Sequence, residues 1–196
     1  PADVAIEELS GTIDDAALQG GVRYAAVAGR GGQLDVALDA GRFDFGLLSG
    51  LGQWLAGTAQ APDGGLIERL NADLTIAELV AGPENLGGVS VSLRSMPEEI
   101  VIDELSIGDA AGARIAATGR LERGAFPPLG TLSLDADMER LSGVARLARD
   151  VFGDHPLLLD FVRNAGLYAP ASLQGAYTHD GDAGVEVRVD GTLGET

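Results

Sequence analysis

A mainly β fold with a minor helical part follows from three observations. Apolar and polar residues alternate with period two over most of the chain, which is the pattern of half-buried strands. Turn-forming clusters rich in glycine separate the alternating runs; there are 29 glycines in 196 residues. Aromatics are only 5% of the chain against 45% hydrophobic residues, so the interior must be made of Ala, Val, Leu and Ile.

The clearest run lies between Leu70 and Leu121. Leu70, Ala72, Leu74 and Ile76 alternate with Asn71, Asp73 and Thr75. After the turn Gly82-Pro83-Glu84-Asn85, Val89, Val91 and Leu93 alternate with Ser90, Ser92 and Arg94. Pro97-Glu98-Glu99 turns the chain into Ile100 and Ile102, and an irregularity precedes Leu105 and Ile107. Gly108 to Gly112 forms a further turn before Ile115, Ala117 and Leu121. Short turns between such runs predict an antiparallel meander.

Similar patterns flank it. Val4, Ile6, Val22 and Tyr24 lead through the flexible turn Gly29-Arg30-Gly31-Gly32 to Leu34, Val36, Leu38, Phe43 and Phe45. Leu132, Leu134 and Ala136 open a third stretch that closes with Leu173, Tyr177, Val185, Val187 and Val189. The chain is therefore expected to be a single β-rich region, 1–196, of related units at about 1–46, 65–123 and 129–193.

Two segments leave the strand period. Leu47, Leu48, Leu51, Trp54 and Leu55 suit a short amphipathic helix within Gly46–Gln60, against the cost of four glycines. Leu141, Val144, Ala145, Ala148, Val151 and Phe152 share one helical face, with Gly153 as a stop. Asp154 or His155 can cap the next helix, with Pro156 in its first turn and Leu157, Leu158, Phe161 and Val162 on its face. A helical hairpin is expected near 141–166.

Charge and composition exclude several function classes. Thirty acids against 13 basic residues give a net charge of −17, which opposes nucleic-acid phosphates and anionic membrane surfaces. All 13 basic residues are arginine, as a GC-rich gene would encode. No cysteine is present, so there is no disulfide scaffold, thiol nucleophile or cysteine-held zinc. No apolar stretch approaches the roughly 20 residues of a membrane helix. The chain starts at Pro1, and a piece of a longer protein is the expectation, with anchor and targeting signals outside it.

Chemistry-bearing motifs are sparse. His155 and His179 have no second histidine at metal-ligand spacing. Asp180-Gly181-Asp182 lacks the remaining ligands of a calcium loop, and a solvated hairpin turn is the default. Glu7-Glu8, Asp14-Asp15 and Glu98-Glu99 are adjacent carboxylates, which on a strand point to opposite faces and form no acid/base dyad. Gly29-Arg30-Gly31-Gly32 matches no nucleotide-binding fingerprint, and no Gly-x-Ser-x-Gly elbow occurs. No enzyme, metal or cofactor is expected. The aliphatic strand face has two solutions: packing on a second layer as a closed core, or curling into an open trough with an apolar lining.

The segments Leu70–Ile76, Leu86–Arg94, Ile102–Ile107 and Ala113–Leu121 resemble the AsmA family, as does Leu132–Leu141 followed by helices and a closing β pair. The pattern is a strand, a short polar-apolar alternation and a glycine-bearing strand; it covers 65–193 well and 1–46 loosely. The resemblance implies a long periplasmic β structure with an apolar groove, tethered to the inner membrane of Gram-negative bacteria by a helix that would lie outside this chain. It implies a part in outer-membrane biogenesis and phospholipid traffic, and no catalytic residues.

The resulting expectation is a curved antiparallel β-sheet that shields phospholipid acyl chains. Its groove lining is assigned to Leu74, Ile76, Val89, Val91, Leu93, Ile100, Ile102 and Ile115, with Ser90, Ser92 and Arg94 facing water. Membrane contact would run through parts of the parent protein outside this chain. The alternative is a non-enzymatic structural or adhesin-like β scaffold without bound lipid.

Overall fold

The computed structural model describes residues 3–13, 16–26, 31–44, 46, 67–81, 84–123, 128–140, 163–164, 169–181 and 184–194. Ten strands make one sheet in chain order: β1 (Asp3–Ile13), β2 (Ala16–Ala25), β3 (Gly32–Asp44), β4 (Ile67–Ala81), β5 (Glu84–Ser95), β6 (Glu99–Ala110), β7 (Ala113–Glu122), β8 (Gly130–Met138), β9 (Ala171–His179) and β10 (Val185–Leu193). The spans 1–46, 65–123 and 129–193 contain β1–β3, β4–β7 and β8–β10 respectively. The expected hairpin near 141–166 lies outside the described residues, apart from Arg163 and Asn164, which are helical. The shorter helix expected within 46–60 also lies outside them, apart from Gly46.

The sheet is mixed, which corrects the all-antiparallel expectation. Eight neighbouring pairs are antiparallel, but β3 and β4 run parallel, with Leu34 beside Leu70 and Leu38 beside Leu74. Short turns force antiparallel pairing, and a parallel pair needs a crossover of a dozen residues or more. Residues 45–66, between β3 and β4, supply that length. The other long connection, 139–170, leaves from Met138 and returns at its cross-strand partner Ala171, so β8 and β9 stay antiparallel.

Alternation places the side chains. Register partners share a face, so Val36, Ala72, Leu93, Ile102, Gly119, Leu132 and Tyr177 form one row across the sheet. Leu38, Leu74, Val91, Leu105, Ala117 and Leu134 form the next. Both rows are apolar, and they lie on the same face. The opposite face carries Asp35, Asn71, Arg94, Thr118, Ser133 and Gln174.

One line across the sheet breaks the parity without changing the register. Ladder pairing lapses at Gly41, Ala77, Gly88 and Gly108, on four successive strands, and resumes unshifted. Beyond it the apolar residues come three after the last one rather than two: Ala40 then Phe43, Ile76 then Leu79, and Leu86 before Val89. All six are buried. Gly88 sits at φ 60°, a conformation that favours glycine. Because the extra residue falls on one shared line of these four strands, their apolar face continues across it.

The buried cluster is gathered at this end of the sheet. It joins Ala40, Phe43, Ile76, Leu79, Leu86, Val89, Ala110, Ala113, Ala136, Met138 and Ala171. Both long connections leave the sheet from this same end, at Asp44 and at Met138. Toward the other end the apolar residues are mostly half-buried.

Candidate apolar surface

The eight residues expected to line a groove all lie on the apolar face. Ile76 pairs with Val89, Leu74 with Val91, and Leu93 with Ile102. Ile115 lies between Ile107 and Ala136, and Ile100 between Ser95 and Leu121. Their exposure differs. Ile76 and Val89 are each 3% exposed and belong to the buried cluster. Val91 and Ile115 pack partly buried against it, while Leu74, Leu93, Ile100 and Ile102 are half-buried. Ser90, Ser92 and Arg94 lie on the opposite face, as the alternation predicts.

The exposed apolar residues extend this surface beyond the eight. Among the described residues, the exposed large hydrophobics are Val4, Ile6, Leu134, Val185, Val187, Val189 and Leu193. Register places every one of them on the apolar face. Sequence alternation had marked most of these positions as apolar. What it could not supply was their common face, which requires knowing that β1 and β10 belong to the same sheet as β5.

Glycines on the apolar face sit beside leucines of the neighbouring strand: Gly20 with Leu38, Gly119 with Leu132, and Gly191 with Leu173. A Cβ at Gly119 would stand 2.5 Å from the Thr131 carbonyl oxygen, and one at Gly191 would stand 2.2 Å from that of Ser172. These approaches are too close for any side chain, so each leucine lies over a bare stretch of its neighbour. The glycine-bearing strands noted in the sequence thus have a packing cause at these positions.

The polar face is held by side-chain bridges between neighbouring strands. Asn71 donates to Asp35 at 2.6 Å, Ser92 to Asp73 at 2.6 Å and Ser172 to Asp137 at 2.8 Å. Asp103 occupies the bulge between Ile102 and Leu105, the irregularity visible in the sequence. Arg94 grips it with two bonds, Nε to Oδ2 at 2.7 Å and Nη2 to Oδ1 at 2.6 Å. This forked hydrogen bonding lowers the Asp103 pKa and raises that of Arg94. Arg23 grips Asp3 in the same way and shifts that pair in the same directions. Val101 is buried on this side, with Arg94 and Arg120 as its register partners; arginine stems commonly cover apolar surface in this manner.

The other sequence candidates have structural placements. Glu7 and Glu8 fall in a bulge of β1. Glu99 meets Arg120 Nε at 3.2 Å. His179 Nδ1 lies 3.2 Å from the Pro128 carbonyl, which also accepts the Tyr177 hydroxyl. His155, Asp14, Asp15 and Asp182 lie outside the described residues, among which no group of acids and histidines could hold a metal ion. A depression of about 500 Å³ lies beside the buried cluster, bordered by Gly112, Met138, Arg140, Pro170 and Gly194. None of the eight apolar candidates lines it.

Comparison with family models, curated proteins and solved structures gives no match. No helix among the described residues is long and apolar enough to cross a membrane.

Proposed function

We propose that this chain is a periplasmic, AsmA-like β segment whose apolar sheet face curves around phospholipid acyl chains and shields them from water. One observation carries the reading: an apolar face that runs over all ten strands, with its large exposed hydrophobics confined to that face. A soluble monomer rarely leaves contiguous apolar surface uncovered. The aliphatic composition suits acyl chains, which have no rings to stack and few polar atoms to bond.

The mechanism in this reading is passive. Each buried methylene contributes about 0.8 kcal/mol, so a face that covers most of an acyl chain offsets much of the cost of leaving a bilayer. Half-exposed residues such as Leu74, Val91, Leu93 and Ile102 would make the contact; Ile76 and Val89 would support it from beneath. The acidic opposite face would stay in water and repel anionic head groups. Tethering to the inner membrane and a role in outer-membrane biogenesis rest on the AsmA resemblance.

Native mass spectrometry of protein purified without detergent tests this. The expectation is bound phospholipid on the wild-type chain and its loss in Leu134→Arg, with unchanged β content. Leu134 is 39% exposed, so the fold should accept the change. Lipid-free wild-type protein would favour the scaffold alternative, which the buried cluster at one end of the face also suits.

A further inference from the structure

The apolar face is not uniform along its strands. With the outermost strands β1 and β10 set aside, β2 to β9 carry two neighbouring rows without a charged residue. One runs through Val36, Leu93 and Leu132, the other through Leu38, Val91 and Leu134. Their residues are mostly half-buried, and Leu134 is exposed. On one side the next row is largely closed off: Ala40, Ile76, Val89 and Ala136 are buried. On the other side the next row includes Tyr24, Ser95 and His179. Ser95 accepts a bond from Arg123, and His179 lies against the Pro128 carbonyl. The open aliphatic surface is therefore a strip two rows wide.

Sheet geometry gives this strip a direction. Side chains within a row stand about 4.8 Å apart, the spacing of neighbouring strands, while the rows stand about 7 Å apart, two residues along a strand. Each row therefore makes a ridge, and the furrow between the two ridges runs across the strands. Over β2 to β9 the furrow is roughly 34 Å long. Along the strands the strip measures only about 13 Å, side chains included. An extended acyl chain of about 16 carbons is about 19 Å long, from carbon bonds of ~1.5 Å. It fits the strip across the strands and overruns it along them.

We propose that this surface binds an extended, unbranched acyl chain laid across the strands, in the furrow between these two rows. The inference rests on the acyl-chain reading above; it adds the direction of the chain and the length the surface can take. A chain laid along the strands would run onto the row of Ile76 and Val89, which offers little surface, or end against Tyr24, Ser95 and His179.

A length series tests this. Lysophosphatidylcholines with acyl chains of eight to sixteen carbons, each kept below its micelle concentration, are titrated into the full chain by calorimetry. Affinity should rise through the whole series, by about twofold per methylene for a chain half covered in an open furrow. Leu105 stands near the middle of the second row, and Leu105→Arg would divide the furrow into parts each shorter than about 15 Å. In that variant the gain should stop at about ten carbons, whereas Ser133→Arg, on the opposite face, should leave the series unchanged. Circular dichroism checks the β content of both variants. A wild-type series that levels off at about ten carbons overturns the proposed direction and leaves the acyl-chain reading standing. Binding that Leu105→Arg, with its β content intact, fails to shorten overturns the placement in this furrow. No binding at any length overturns both the direction and the reading it rests on.

Discussion

Ala111 holds φ 55° in the two-residue turn between β6 and β7, followed by Gly112 at φ 97°. Two consecutive positive values make a type I′ hairpin, in which Asn-Gly is the favoured pair. Alanine in the left-handed region costs roughly 1–2 kcal/mol. Ala111→Asn should therefore stabilise the chain by about 1 kcal/mol in urea denaturation; a neutral or destabilising result would mean that the turn is of another type. Asp103 gives a second prediction at this scale. Its pKa is lowered in the folded chain by the Arg94 bonds, so the folded state favours its ionised form. The stability it contributes is present above the ordinary carboxylate pKa and is lost as pH falls through the lowered folded value. NMR titration should find Asp103 below the usual carboxylate range, and Arg94→Ala should return it toward that range. An unchanged value in the variant would remove Arg94 as the cause.

At the scale of the elements, much of the sheet was legible in the alternation itself. Ser90, Ser92 and Arg94 against Val89, Val91 and Leu93 announce the two faces of β5, and the break after Ile102 announces the bulge that holds Asp103. The parallel joint was not legible in the same way. Leu34 to Leu38 and Leu70 to Leu74 alternate identically whether their strands run together or opposed. Both long connections, 45–66 and 139–170, are long enough for a crossover, yet one produces a parallel pair and the other an antiparallel one. Where the chain re-enters the sheet is set by tertiary packing, which period does not encode. The line at Gly41, Ala77, Gly88 and Gly108 was hidden for a related reason: a lapse on one strand looks like a turn until its neighbours show the same lapse. The parallel joint is open to a direct check, because the chain has no cysteine of its own. Asp39 and Thr75 are exposed register partners on the polar face. Asp39→Cys with Thr75→Cys should form a disulfide on mild oxidation, seen as loss of free thiol. Failure to close would contradict the register of β3 on β4.

For the whole molecule, the asymmetry of the sheet governs what it can do. One face concentrates aliphatic residues from β1 to β10, and the other carries carboxylates, hydroxyls and arginines bridged strand to strand. Among the described residues, most of the carboxylates behind the −17 charge lie on the solvated face and in turns. A closed core and a lipid-bearing groove share this asymmetry, which is why alternation alone left both open. The structure adds that burial is deep at one end of the face and partial toward the other. Photo-crosslinking at adjacent positions tests the proposed role most directly. Leu134 and Ser133 are neighbours on β8, both exposed, on opposite faces. With a benzophenone amino acid at each position in turn, and the protein irradiated after extraction without detergent, mass spectrometry should find a phospholipid adduct at position 134 and none at 133. Adducts at both positions, or at neither, would contradict an apolar face that shields acyl chains.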